Sequence, residues 1–337
     1  MARIKTNGIA IEYDSFGSPK SEAILLIPGL GSQLTQWPVE LCNTLVKRGY
    51  RVIRMDNRDS GLSSKMLPVR GMTHDDMLAS ASAKNFDFAG YTLNDMASDA
   101  INLLDGIKVE KAHIVGAGMG GMIAQTMAAE HPARVFSLTS IMSTSGNPEL
   151  PRIDDEVLKL FLRPASMASD IESIVARDME FNRLVGSPGF PVGLDLLRVW
   201  ALRDSMRAYH PAGLLRQLAL VKSSGDRRDV LGKIKVPTVV LHGSADKLVP
   251  KAAGEDTAKS IEGAELRIVE GMGHDMPPAL VGVFADAIVS AAERATGQVV
   301  LPATQAVAPT PGKTGLKSLV PLGALQRFRE ALLTSRA

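Results

Sequence analysis

Three separate segments of this sequence hold residues that could do chemistry together. In KAHIVGAGMGGMIAQ an apolar run meets a turn dense in glycine, and a helical pattern follows at once. VPTVVLHGSADKLVP is a second apolar run, and the loop at its end exposes Asp246. VEGMGHDMPPAL places His274 in a glycine-framed turn. An acid beside a histidine fixes the tautomer of the imidazole and stabilises the imidazolium formed on proton uptake. Such a pair can take a proton from an attacking hydroxyl or from a water.

The glycine turn is where a nucleophile would be sought. A strand, a sharp turn and a helix, with glycine two residues before and after the central position, form the setting of a nucleophile elbow, G-x-S-x-G. Gly116 and Gly120 supply the outer glycines, but the centre is Gly118, so the hydroxyl is missing. A positive φ is expected there, which glycine adopts without a Cβ penalty. The order along the chain, turn then acid then histidine, is the one such a triad requires. The backbone N–H of Met119, after the central position, and that of Leu30, in the loop IPGLGSQ, are the expected donors to a developing oxyanion. Asp275 is the rival acid. As the neighbour of His274 it faces elsewhere, and it is expected to cap a helix beginning near Met276.

The same glycines invite a dinucleotide-binding reading, since GAGMGG lies between a strand and a helix. That fingerprint belongs on the first βα unit, with an acid about 20 residues on. Here the glycines fall on a late unit, and VFSLTSIM ends without an acid.

These side chains must be held by a scaffold, and the patterning describes one. Ile9 to Tyr13 alternates apolar and polar after Asn7-Gly8, the signature of a tight hairpin. AILLIPG, RVIRMD, AHIVG, VFSLTSIM, TVVLHG and ELRIVEG read as strands buried on both faces. Helical patterns lie between them at Gln36 to Arg48, Leu93 to Leu104, Met119 to Glu130 and Ala252 to Ile261. Alternating strand and helix implies βαβ units, hence an α/β fold with a mostly parallel sheet. The rhythm breaks over 144–222, where helical segments occur without a buried strand, which predicts a helical cap on a core formed by 1–143 and 223–296. Residues 297–337 are rich in Pro, Gly, Thr and Ala and then helical in pattern. They are expected to form a flexible linker and a short helix.

IPGLGSQLTQWP, VIRMDNRDSGLSS, YTLNDMASDAINLLDGIKVEKAHIVGAGMGGMIAQ, VPTVVLHGSADKLVP and GMGHDMPP together resemble the α/β-hydrolase superfamily. More narrowly, they resemble the aclacinomycin methylesterase-like carboxylesterases. The likeness spans roughly residues 1 to 142 and 225 to 295. It implies an α/β-hydrolase fold, a serine nucleophile, an acyl-enzyme intermediate, and hydrolysis of a small or medium apolar ester with no metal or cofactor. It matches Asp246 and His274 to the acid and base, and Leu30 and Met119 to the oxyanion donors. Gly118 departs from it. The glycine leaves three readings open: a change introduced in place of serine, a binding protein without turnover on a hydrolase scaffold, or a hydrolase or lyase that uses water activated by His274.

Bulk properties exclude other classes. Lys and Arg total 38 against 36 Asp and Glu, a net +2, too little to gather nucleic acid or anionic lipid. The one cysteine, Cys42, rules out an intrachain disulfide and is expected to be a buried small hydrophobe. MARIKTNGIAIEY has no secretory pattern, and no apolar run approaches the roughly 20 residues that span a bilayer. A cytoplasmic protein is therefore expected, with a homo-oligomer left open. His113 and His242 fall in strands, His131 ends a helix, His210 precedes Pro211, and His74 sits in a polar loop with Asp75 and Asp76. Their spacing suggests no metal site. Met119, Met122, Met142 and Met272 fall near the site and are read as pocket lining or core.

Overall fold

The computed structural model describes residues 2–297, apart from 68, 84, 162 and 164–169. The linker and helix expected over 297–337 lie, from residue 298 on, outside the described residues.

The strands are β1 (Ala2–Thr6), β2 (Ile9–Phe16), β3 (Ala23–Ile27), β4 (Arg51–Met55), β5 (Ala112–Ala117), β6 (Val135–Ile141), β7 (Thr238–Gly243) and β8 (Glu265–Val269). The helices are α1 (Val39–Lys47), α2 (His74–Ser82), α3 (Leu93–Gly106), α4 (Met119–Glu130), α5 (Asp155–Phe161), α6 (Ile171–Val185), α7 (Leu194–Arg207), α8 (Pro211–Ser223), α9 (Arg228–Leu231), α10 (Lys251–Lys259) and α11 (Val281–Thr296). One sheet runs in the order β1-β2-β4-β3-β5-β6-β7-β8. Only the β1–β2 and β2–β4 pairs are antiparallel. Asn7 and Gly8 join β1 to β2 with φ of 49° and 78°, the two left-handed residues that a two-residue hairpin of this hand needs. This is an α/β-hydrolase fold, a mostly parallel sheet with helices on both faces.

Strand alternation splits the core in two. Leu25, Ile27, Ile53 and Ile114 face a layer that includes α3, α4 and α8. Ile24, Leu26, Val52 and Val115 face α1 and α11. Thr73 and Thr92 start α2 and α3 with full capping boxes, each closed by an aspartate three residues on. Cys42 is fully buried in the second core, and burial pushes its thiol up to about 12, so it stays protonated. Among the described residues no helix is long and apolar enough to cross a membrane.

The structure departs from the sequence reading in two elements. β8 is not buried on both faces: Leu266 and Ile268 are exposed, because β8 is the last strand and α11 packs over β6 and β7 instead. His74 is the first residue of α2, not part of a loop, because the Thr73–Asp76 capping box starts the helix there. The stretch between β6 and β7 is helical. Its last helix, α8, carries Leu215, Ala219 and Leu220 into the first core.

The loop after β4 holds a line of buried ion pairs. Arg216 of α8 grips Asp59 through two hydrogen bonds of 2.8 and 2.7 Å, and both side chains are fully buried. Burial alone would raise the Asp59 carboxyl. The Arg216 guanidinium, His210 and the Met66 amide outweigh it and hold the carboxyl well below the usual range. Its contribution to stability is therefore complete above the ordinary carboxylate pKa near 4 and is lost as pH falls from there through the lowered native value. Arg216→Leu strands a buried carboxylate and should lower the unfolding free energy by about 3–5 kcal/mol at neutral pH. Urea melts of the two proteins should converge in acid. A gap independent of pH, or one below about 1 kcal/mol, would contradict this assignment.

Candidate active site

The turn at Gly118 is imposed by close backbone contact. A Cβ on Gly116 would lie 2.0 Å from the Gly120 carbonyl oxygen, and one on Gly120 would lie 2.1 Å from that of Ile27. No side chain fits either gap, so both positions require glycine. The first turn of α4 is thereby pressed against the ends of β3 and β5. Gly118 takes φ 54°, ψ −119°, the strained conformation expected of an elbow. Its N–H donates to the Ile141 carbonyl at 2.9 Å, and its own carbonyl accepts from the Ser143 hydroxyl at 2.8 Å.

A Cβ built on Gly118 points at His274: it would stand 3.3 Å from Nε2. His274 Nδ1 is 2.7 Å from Asp246 Oδ2, and its side chain is about nine-tenths buried. A carboxylate can only accept, so Nδ1 carries the proton and Nε2 offers its lone pair toward residue 118. Asp246 is fixed in turn, with Oδ1 accepting from the amides of Leu248 and Val249 at 2.9 and 2.8 Å. The structure thus brings Gly118, His274 and Asp246 together from three loops at the carboxyl ends of β5, β8 and β7.

The two amides named as oxyanion donors lie in the first turn of α4 and in the loop after β3. Met119 is the first residue of α4, where N–H groups have no partner within the helix. In the IPGLGSQ loop, the Gly29 amide donates to Gln36 Oε1 at 2.8 Å and the Gly31 amide to Gln217 Oε1 at 2.7 Å. Neither Leu30 nor Met119 donates its N–H to a protein acceptor among the described residues. The helix terminus and the loop meet because Gly120 lies against the Ile27 and Pro28 carbonyls. Two free amides beside a helix N-terminus favour negative charge.

The loop after β4 supports this arrangement from below. Asp56 accepts the Leu34 amide at 2.7 Å and pairs with Arg207 of α7 at 2.8 Å. Asn57 Nδ2 donates to the Pro28 carbonyl at 2.9 Å. Gln33 Nε2 donates to the carbonyls of Asp204 and Ala208 at 2.7 and 3.0 Å.

Other expectations change. Asp275 caps no helix: its carboxylate accepts the Ser187 hydroxyl, and the next α-helix begins only at Val281. Pro277 and Pro278 delay it, because proline cannot supply the amides that a cap at 275 would bind. Burial raises the Asp275 carboxyl against the pull of Ser187. His242, read as a strand residue, is also a neighbour of the acid. Its Nε2 donates to the Val249 carbonyl at 2.8 Å and lies 3.6 Å from Asp246 Oδ2. Burial, opposed by the Asp246 charge, pulls its imidazole below the ordinary value. The i, i+4 spacing of His242 and Asp246 across a strand end was the available signal. His113 bonds Ser137 and Glu22 inside the fold. Met119 and Met122 belong to the first core, Met142 and Met272 to the second. Among the described residues no group of three or more His, Cys, Asp or Glu could hold a metal ion.

Comparison with known proteins agrees with the fold. Residues 22–168 match the family described as alpha/beta hydrolase fold. The chain is 26% identical over 313 residues to the rhodomycin D methylesterase DnrP of Streptomyces peucetius, covering 87% of this chain and 98% of that protein. It is also 26% identical over 280 residues to the dihydrolipoyllysine-residue acetyltransferase component of the acetoin cleaving system of Pseudomonas putida, covering 81% of this chain and 64% of that one. The crystal structure of the enol-lactonase from Burkholderia xenovorans superposes with a TM-score of 0.62 at 22% identity, covering 86% of this chain and 99% of that one. The chain thus has the α/β-hydrolase fold and is similar in sequence to proteins of that fold.

Proposed function

We propose that this chain is a carboxylic ester hydrolase scaffold of the Ser–His–Asp type whose nucleophile position is occupied by Gly118. The observation that carries this reading is the 3.3 Å between a Cβ at residue 118 and Nε2 of a histidine already bonded to Asp246. A hydroxyl one bond beyond that Cβ could reach hydrogen-bond distance of Nε2. Its oxygen would attack an ester carbonyl while Nε2 takes its proton. The carbonyl oxygen would gain its negative charge against the Leu30 and Met119 amides. Collapse would expel the alcohol, which takes the proton back from Nε2, and water would then release the acid by the same route. Asp246 would hold the tautomer throughout. No step calls for a metal or cofactor. The ligand is a small or medium apolar ester, in keeping with a relative named a methylesterase. Without the hydroxyl the serine route is lost, and this chain is weak or inactive through it.

The free Nε2 favours a second reading, in which a water in the place of the missing hydroxyl gives its proton to His274 and attacks the ester directly. A binding role without turnover uses the same site and amides.

Loss of a triad serine costs about 10⁶ in kcat. Gly118→Ser is therefore expected to raise the release of p-nitrophenol from short-chain esters by about 10³ or more. Adding His274→Ala should cancel the gain. Equal rates for the glycine and serine forms, with both folded, would overturn the serine-scaffold reading.

Stability should move the opposite way. A residue with a Cβ at this φ and ψ costs about 1–3 kcal/mol, and the 3.3 Å contact with a His274 ring held by Asp246 adds to that. Relief of glycine's unfolded-state entropy returns up to about 1 kcal/mol. Gly118→Ser should therefore lower the unfolding free energy, by about 1 kcal/mol, in paired urea melts. A serine form as stable as the glycine form would show that the turn stores no strain.

A further inference from the structure

The loop that carries His274 is held on two sides, and only one side is the sheet. On the sheet side the Gly271 amide donates to Ser244 Oγ at 2.9 Å, and the Ala245 amide donates to the Met272 carbonyl at 2.9 Å. On the other side lie the last residue of α6 and the segment after it, residues 185–189. The His274 amide donates to the Val185 carbonyl at 2.7 Å, and the Gly189 amide donates to the Gly271 carbonyl at 2.9 Å. Between these two bonds stands Ser187, buried at 3% exposure. Its Oγ accepts the Gly273 amide at 2.8 Å and donates its proton to the Asp275 carboxylate. A serine hydroxyl has one proton and two lone pairs, so this oxygen ties together the residues on both sides of His274.

The two segments meet backbone to backbone. A Cβ on Gly273 would lie 2.4 Å from the carbonyl oxygens of Val185 and Gly186. The contact has no slack. The Asp246 bond fixes Nδ1 of the imidazole but does not fix the Cα from which the ring hangs. The bonds from 185–189 hold the His274 amide itself and the residues on either side of it.

We propose that Ser187, with Asp275 as its acceptor, is a positioning residue for His274, so that the helical insertion forms part of the apparatus that aims Nε2 at residue 118. The proposal rests on the functional reading above for the role of His274, but its structural half can be tested without any turnover. Ser187 does not touch the reacting atoms; it acts through the backbone of Gly273 and the side chain of Asp275. A misplacement of about 1 Å at a base can cost on the order of 100-fold in rate.

The variants are Ser187→Ala, which removes the hydroxyl, Ser187→Thr, which keeps it, and Asp275→Asn, which keeps an acceptor. In the otherwise unchanged protein, the low-field proton resonance of the His274 Nδ1–Asp246 hydrogen bond is recorded, with Asp246→Asn as its assignment control. It should shift or broaden in Ser187→Ala and stay in place in Ser187→Thr and Asp275→Asn. In the Gly118→Ser background, ester hydrolysis should lose about 10- to 100-fold in kcat with Ser187→Ala. KM should hold within about a factor of two, and Ser187→Thr should restore kcat. If Ser187→Ala does not fold, the proposal stands or falls on the other two. A resonance lost or shifted in folded Ser187→Thr, or a collapse of kcat in Ser187→Thr or Asp275→Asn while the resonance stays in place, contradicts it. A drop in the urea midpoint with resonance and kcat unchanged in Ser187→Ala makes Ser187 merely structural and also overturns it. Because the resonance is read in the glycine protein, failure of Gly118→Ser to hydrolyse esters leaves that arm intact.

Discussion

The backbone contact between the first turn of α4 and the end of β3 is the constraint on which the site depends. Gly120 rests on the Ile27 and Pro28 carbonyls, and Gly116 rests on the Gly120 carbonyl. A single Cβ at either place would push the helix away from the strand. With the helix held in, three things follow together. Gly118 is driven into a left-handed conformation that aims its missing side chain at His274. The Met119 amide is left unpaired at the head of a helix dipole. The loop bearing the Leu30 amide is brought against that same helix end.

The buried charges of the loop after β4 keep this arrangement from relaxing. Arg58 with Asp99, Arg216 with Asp59 and Arg207 with Asp56 are all paired there. Buried pairs of this kind contribute little net stability over apolar residues of the same size, because desolvation offsets the Coulomb attraction. Breaking one is costly, however, since the partner is left charged in the interior. Their effect is therefore selective. Asp56 satisfies the Leu34 amide and Arg207 at once, which ties the loop after β3 to α7 in one geometry. A shift of either segment would leave a buried charge unpaired.

Much of this was legible in the sequence because it rests on local rules. Glycine at 116 and 120, apolar strands entering turns, and the order of the glycine turn, Asp246 and His274 follow from sterics and chain direction. The hairpin at Asn7-Gly8 is equally local. What escaped depends on contacts far apart in the chain. Nothing near Ser187 marks it as a neighbour of Gly273, because 86 residues separate them. Asp275 precedes a plausible helix, yet two prolines and a buried serine decide its partner. β8 has the apolar content of an interior strand and is an edge strand only because the chain adds no further one beside it among the described residues. The meaning of Gly118 is a different matter: its conformation could be anticipated, whereas its chemistry concerns an atom the side chain does not have.

The central claim is that every part of a nucleophilic site except the nucleophile is assembled. Its most direct test is covalent labelling of the Gly118→Ser protein with a fluorophosphonate ester, read by intact mass and by the modified peptide. One adduct per chain, on the introduced serine, is the expected result, with none on the parent protein and none when His274→Ala is added. A folded Gly118→Ser protein that takes no label, or a parent protein that is labelled equally, would contradict the claim.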